Sequence, residues 1–253
     1  MRETNHTSLV DDFGVDYRRP VFGQLDSLGD RYWDWVHEHV GPKRRQALAD
    51  HDPAARWPGS FPIFANAWFE ANTHISWRLV VSLWVPTVVL LLAGAAWRGV
   101  GGREAAGLAA AGFLLWTLVE YVLHRVAFHH HPRSSFGRKV HFLAHGIHHK
   151  DPWDPTRLVF PPLAGYGIAL VLFVLLDLVL PVGAAMASMA GLLVGYLCYD
   201  LGHFAWHHAG CRRGLLKFLK RYHLAHHFKD QDSRYGVSQP LWDLVFRSGN
   251  LHF

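Results

Sequence analysis

The chain has 253 residues, half of them hydrophobic, with 11 Trp, 16 Phe, only two Cys and a formal net charge of +5. Two cysteines, Cys198 and Cys211, are too few for a thiolate metal site or a disulfide framework. The Lys and Arg flank apolar runs instead of forming a stripe interleaved with base-stacking aromatics, so the positive charge points to a membrane surface and away from nucleic acid.

Residues 1–15 read as a polar leader containing Glu3, Asp11 and Asp12, without the apolar run or small-residue cleavage pattern of a signal peptide. Residues 16–78 read as a folded, membrane-proximal helical segment. Tyr32, Trp33, Trp35 and Val36 alternate there with charges, ahead of a break at Gly41 and Pro42. Residues 79–97 carry no charge and are long enough to cross a hydrocarbon core of about 30 Å. Pro86 inside this span is tolerable in a membrane helix.

A second span is expected at 105–123, where Ala and Gly permit close helix packing and Glu120 is an acid worth noting. Residues 158–180 and 181–199 form two further expected spans, separated by a Pro-Val-Gly turn at Pro181 to Gly183. The expected fold is therefore all-α and integral to the membrane. Four transmembrane helices in two hairpins are capped by a cytoplasmic helical domain, within a membrane domain covering 79–253. The polar segments 124–157 and 202–253 then emerge on one side together with the N-terminal segment. Arg133, Arg138, Lys139, Arg212, Arg213, Lys217, Lys220 and Arg221 concentrate there and mark it as the cytoplasmic face.

Fourteen of the 20 histidines fall between His124 and His227, all of them in those two polar segments. They include four clusters: His124 with His129; His145 with His148 and His149; His203 with His207; and His223 with His226 and His227. Spacings of i, i+3 and i+4 put each trio on one helix face, aimed at a common point. The i, i+5 pair turns through about 140° on a helix of 3.6 residues per turn, so His129 is expected beyond a helix end. His6, His37, His39, His51, His74 and His252 are isolated and read as ordinary surface or core residues.

A structural zinc takes four ligands. Ten convergent imidazoles imply two metals, whose identity the ligand type leaves open among iron, zinc, copper and nickel. Without anionic ligands, outer carboxylates such as Asp151, Asp154, Asp200 or Glu120 would help balance the charge. Such a centre could activate dioxygen.

The strings EYVLHRVAFH from Glu120, HFLAHGIHHKDPWDPTRLVFPP from His141, YDLGHFAWHH from Tyr199 and LKRYHLAHHFKDQDSRYGVSQPLWDLVF from Leu219 resemble the integral-membrane fatty acid hydroxylase superfamily. RLVFPP, with RRPVFGQLDSLGDRYWDWVHEHV from Arg18, resembles its fatty acid 2-hydroxylase, or sphingolipid alpha-hydroxylase, branch. The resemblance covers most of the chain from about Asp16.

It implies that the metal ligands are His124, His129, His145, His148, His149, His203, His207, His223, His226 and His227. It leaves His141 outside that set although geometry alone would admit it. His141, His130, His131 and His208 are expected to orient ligands or lie near substrate. Tyr199 and Asp200 are expected where the site opens to substrate, with a helix-end polar pair as the plainer alternative, and Asp154 is expected among the outer partners.

The resemblance further implies iron as the working metal, with zinc possible in a purified sample. It also implies O2 as co-substrate and insertion of oxygen at carbon 2 of an acyl chain. The cytochrome b5 domain of eukaryotic members has no expected counterpart before Arg18. Electrons would then come from a separate protein such as cytochrome b5, a ferredoxin or a reductase. Rival expectations are a sterol or carotenoid hydroxylase or desaturase, and a non-enzymatic membrane metal-binding protein.

Overall fold

The computed structural model describes residues 8–251. The start of the polar leader, with Glu3 and His6, and His252 at the other end lie outside the described residues. Twelve α-helices follow in chain order: α1 Leu25–Leu28, α2 Tyr32–His37, α3 Gly41–His51, α4 Ala67–Ala71, α5 Trp77–Trp97, α6 Gly102–Val122, α7 Ser135–His141, α8 Ile147–Lys150, α9 Pro162–Asp177, α10 Val182–His208, α11 Gly214–Phe228 and α12 Leu241–Val245. Two π-helical turns, Leu123–Phe128 and Phe142–Gly146, follow α6 and precede α8. Among the described residues the only β-type pairing is an isolated bridge between Val10 and Asp16.

The chain divides into two compact units. The first comprises the chain up to His74 together with Phe128–Leu158. Its core joins Tyr17, Val21, Leu25, Trp35, Val36, Phe61 and Ile63 to Phe142 and Ile147. The stretch read as a polar leader is packed from Leu9 onward, because Leu9, Phe13 and Val15 join that core. Asp11 there is buried and accepts from the Tyr17 hydroxyl (2.6 Å), the Trp35 indole (2.8 Å) and two backbone N–H groups. A buried carboxylate with this many donors fixes where the leader lies. The expected break stands at Gly41, whose positive φ of 74° an L side chain would resist, with Pro42 at the start of α3.

The second unit comprises Ile75–Ala127 and Val159–Phe253. Three of its helical stretches are long and apolar enough to cross a membrane: Trp77–Trp97, Gly102–Phe128 and Val182–His208. The first runs through Pro86 without a break. The stretch expected to span at 158–180 differs, forming the 16-residue helix Pro162–Asp177. At 1.5 Å per residue that is about 24 Å, short of a full hydrocarbon core. Pro161 and Pro162 set its start, and the helix ends at Asp177, ahead of the non-helical Leu178 to Leu180 and Pro181. The span expected at 181–199 instead continues to His208, because Asp200 is buried inside the unit and does not end the helix.

Small residues bring α6 and α10 into backbone contact. A Cβ on Gly112 would stand 1.8 Å from the Ser188 carbonyl oxygen, and one on Gly191 1.8 Å from that of Ala109. Along the same seam a Cβ on Gly195 would meet Trp116 at 2.6 Å. This is the close approach that a small-residue stripe permits between helices in a bilayer. Around it, Trp84 stacks on Tyr166 (4.1 Å) and meets Tyr196 edge-on (5.1 Å).

Gly191→Leu is therefore expected to force α6 from α10, at a cost of at least about 1–3 kcal/mol. At about 2–4 °C per kcal/mol for a chain of this size, the thermal midpoint in detergent should fall by roughly 5 °C or more. Gly107→Leu, where a Cβ meets nothing within 4 Å, should leave the midpoint unchanged or raise it.

Candidate metal-binding histidine clusters

In the first unit His129 follows the end of the first π turn, His145 rides on the second and His149 on α8. Their candidate ligand nitrogens lie within 4.8 Å of one another, and all three residues are buried. Nε2 of His149 is 3.0 Å from Nε2 of His145. His129 meets both rings edge-on, with centroids 5.2 and 4.8 Å apart.

The end of α8 is tied down by Lys150, which is fully buried. Its ammonium donates to the Trp35 carbonyl (2.7 Å) and the Glu38 carbonyl (2.5 Å) and lies over the Trp35 ring. Its own carbonyl accepts from Val40 N–H (2.8 Å). The ammonium thereby caps the end of α2, adding to the Glu38 N–H that the Trp35 carbonyl already accepts (3.2 Å).

In the second unit His203 and His207 stand four apart on α10, and His223 and His227 four apart on α11. Their candidate ligand nitrogens also lie within 4.8 Å of one another. Nε2 of His207 is 2.9 Å from Nε2 of His223, and the His203 and His223 rings cross edge-on at 4.5 Å. Burial and the neighbouring imidazoles push His223 well below the usual histidine range, so its ring is neutral and offers a lone pair.

His124 and His226 form a pair, 4.8 Å between centroids. Nδ1 of His124 donates to the Tyr235 carbonyl (2.5 Å) and Nδ1 of His226 to the Ser233 carbonyl (2.7 Å). A carbonyl only accepts, so both protons sit on Nδ1 and both Nε2 atoms carry lone pairs. This backbone-oriented tautomer is the arrangement that metal-binding imidazoles adopt.

Each HxxHH trio splits instead of converging whole. His145 and His149 group with His129, whereas His148 lies outside that group; His223 and His227 join the α10 histidines, whereas His226 faces His124. The reason is angular. Residues four apart are about 40° out of line on an α-helix, but adjacent residues diverge by about 100°.

The loop that orients His124 is itself anchored by two acids. Glu120 accepts from the Ser238 N–H (2.7 Å) and hydroxyl (2.5 Å). Asp243, fully buried, accepts from the N–H groups of Tyr235 (2.9 Å) and Gly236 (2.7 Å) and from the Ser248 hydroxyl (2.8 Å). Gly236 admits no Cβ, which would stand 1.9 Å from the Gln239 carbonyl oxygen. Spacing flagged Glu120, but not Asp243 or the Tyr235 and Ser233 carbonyls, because backbone acceptors leave no signature in residue type.

The other expected residues occupy varied positions. His141 is buried and bonds through Nδ1 to the Tyr32 hydroxyl (2.7 Å), and burial pushes it down to about 3. His130, His131 and His208 are exposed, with His131 stacked on Trp33 at 3.6 Å. Tyr199 packs against His203 and Trp116. Asp200 accepts from Phe160 N–H (3.0 Å) and the Tyr196 hydroxyl (3.1 Å), well inside α10 and not at its end. Asp154 accepts from Ser60 and Thr156, and Asp151 from Arg45.

His74, read as ordinary, is held by Thr156 (2.6 Å) and Arg157 (2.8 Å) and stacked on Trp57. Arg157 of the RLVFPP string is a buried clamp onto the Phe61 carbonyl and Glu70. His37, also read as isolated, instead meets the His149 ring edge-on at 4.9 Å and donates to the Trp33 carbonyl (2.9 Å). The fold brings it there from a distant part of the sequence, so spacing carried no sign of it.

The clusters fit metal ions. They gather buried imidazole nitrogens at short range and, where the tautomer is fixed, turn lone pairs away from the backbone. Comparison with known proteins gives them a family. A fatty acid hydroxylase family model matches residues 109–248. A dihydroceramide fatty acyl 2-hydroxylase of Arabidopsis thaliana is 35% identical, over 94% of this chain and 94% of the relative. The fatty acid 2-hydroxylase of Rattus norvegicus is 34% identical, over 92% of this chain and 64% of the relative. A solved structure of full-length scs7p, in which only the hydroxylase domain is visible, superposes with a TM-score of 0.81 at 33% identity, covering 97% of this chain and 91% of that one. With the family model matching more than half of the sequence and these relatives nearly all of it, the chain belongs to the fatty acid hydroxylase family.

Proposed function

We propose that this chain is a membrane-bound fatty acyl 2-hydroxylase, acting on fatty acids or acyl lipids such as ceramides with O2 and electrons from a separate protein. The observation that carries the reading is the pairing of buried, carbonyl-oriented histidines with relatives named as fatty acyl and fatty acid 2-hydroxylases. The ten histidines of the four clusters supply the ligands of two metal ions, taken to be iron. The α10–α11 quartet serves one ion and the His129, His145 and His149 trio the other, with His124, His226 and His148 completing the set. Bound there, the metal pair would supply dioxygen activation and C–H oxidation, chemistry that no side chain of this protein can perform.

The protein's own residues orient and exclude. The Tyr235 and Ser233 carbonyls hold the imidazole tautomers, and Glu120 and Asp243 hold the loop that bears Tyr235. Tyr199 and Asp200 stand on the α10 face leading to His203 and are assigned to substrate positioning. The exposed apolar residues of α5, α6 and α9, among them Leu90, Leu114 and Leu170, face lipid. In this reading α9 is a fourth, short crossing and the histidines lie at the cytoplasmic face, a reading that the Lys and Arg of the polar segments support.

Expression of the chain in a host lacking 2-hydroxy lipids should produce 2-hydroxy acyl species without new double bonds. His148→Ala and His226→Ala should each lower that product by roughly tenfold to a hundredfold or more, the loss that even outer partners of a metal site carry, with less iron per chain in the purified protein. Unchanged product in both variants would remove the assigned ligands. New double bonds, or oxidised sterols in place of 2-hydroxy acids, would remove the substrate assignment.

The electron donor is assigned to the basic surface around α11, where Arg212, Arg213, Lys217 and Arg221 are exposed. Reversing Lys217, Lys220 and Arg221 to Glu should slow donor-supported turnover on the order of tenfold at low salt. The difference from the parent should shrink as ionic strength rises. Equal turnover at every salt concentration would place the donor elsewhere.

A further inference from the structure

Residues 238–246 turn their large aliphatic side chains and Phe246 outward and their polar groups inward. Leu241, Leu244, Val245, Phe246 and Leu251 are 44–56% exposed, whereas Asp243 is fully buried on its three donors. The Trp242 indole donates to the Thr117 hydroxyl (3.0 Å) and the Gln239 amide to the Thr117 carbonyl (3.3 Å), and Gln239 Oε1 accepts from Leu241 N–H. The backbone is likewise closed on itself, through Leu244 to Pro240, Phe246 to Trp242 and Ser248 to Asp243. In water this pattern exposes a contiguous apolar patch without benefit. In hydrocarbon it is the required one, because every polar group must be satisfied within the protein.

A second observation names what covers the patch. α12 packs on α6, a membrane-length helix, with Phe246 stacked on Tyr121. Its anchor, Thr117, lies five residues, about 7.5 Å, before the regular helix ends at Val122. The outward residues of α6 at this level, Leu114, Leu115 and Val122, are themselves exposed. The α12 patch therefore continues sideways from a surface that faces lipid.

We infer that α12 and its flanks are immersed in the bilayer beside α6, at the boundary of acyl chains and headgroups, so that the partner of this face is the membrane itself. The exposed Arg125 and Arg247 sit where long cationic side chains reach headgroup phosphates, and Trp242 and Tyr121 are the aromatic types favoured at that depth. The loop whose carbonyls orient His124 and His226 is then fastened to an element in contact with lipid, which brings the acyl substrate's own phase to within one loop of those ligands. The inference rests on α6 spanning the membrane.

The test uses the full chain with Cys198 and Cys211 replaced by Ser, reconstituted in phosphatidylcholine vesicles. Nitroxide labels are placed one at a time at Leu241→Cys, Leu244→Cys, Leu114→Cys and Arg212→Cys. Collision with oxygen, which concentrates in hydrocarbon, is compared with collision with chromium oxalate, which stays in water. Labels at 241, 244 and 114 should favour oxygen, and the label at 212 chromium oxalate. An oxygen preference at 114 with an aqueous signal at both 241 and 244 overturns the inference while leaving the span intact. An aqueous signal at 114 removes the span and the inference with it. Spin–spin broadening at 244 that disappears on dilution with unlabelled chain would assign the face to a second copy and overturn it as well.

Discussion

An imidazole out of water is tolerable only when neutral and when both ring nitrogens are engaged. Gathering many of them within one protein multiplies that demand, and most of the surrounding construction answers it. Helical repeats of four set pairs of rings on a common side, while backbone carbonyls fix which nitrogen bears the proton at His124 and His226. Buried acids then act at one remove. Glu120 and Asp243 touch no imidazole through any of the bonds that hold the loop; they hold Tyr235 and Ser238, and the loop holds the ring. The same logic governs Lys150, whose buried charge is spread over two carbonyls and an indole face at the end of the helix that carries His148 and His149.

Much of this was legible in the sequence because histidine is chemically conspicuous and helices are periodic. The four clusters, the long apolar helices and the tolerance of Pro86 all follow from residue type and spacing. The clearest discrepancy came from treating each HxxHH trio as one set. A rotation of about 100° between adjacent residues separates His148 from His149 and His226 from His227, so one short motif contributes to two groups. The π turns that carry His124 and His145 had no sequence cue, and local pitch is where a 3.6-residue rule loses accuracy. His37 carries no sequence cue for a different reason: its proximity to His149 is created by tertiary packing, of which an isolated residue gives no hint.

Charge misled in the opposite direction along the membrane helices. Asp200 suggested an end to α10, yet its carboxylate is consumed by Phe160 N–H and Tyr196, and the helix continues to His208. That continuation places His203 and His207 on the rigid body of a long helix and not on a mobile connection, which suits a site that must hold its geometry. α9 shows the converse, since a run that is apolar but for Asp177 starts at Pro162 and stops at Asp177, well short of Pro181.

The contact between α6 and α10 has a bearing on motion. Where Gly112 faces the Ser188 carbonyl and Gly191 that of Ala109, backbone lies on backbone, and a backbone surface has no rotamers to exchange. Sliding one helix past the other would drive carbonyl oxygens through one another's van der Waals radii, so the two helices shift as one stiff body. Within this unit α9 is joined to α5 differently, by side chains: the Tyr166 ring stacks on Trp84, and its hydroxyl bonds to Thr87 (2.7 Å) and to the Leu83 carbonyl (3.2 Å). Side-chain contacts of that kind can be remade by rotation about χ angles, whereas the carbonyl seam of α6 and α10 offers no such freedom.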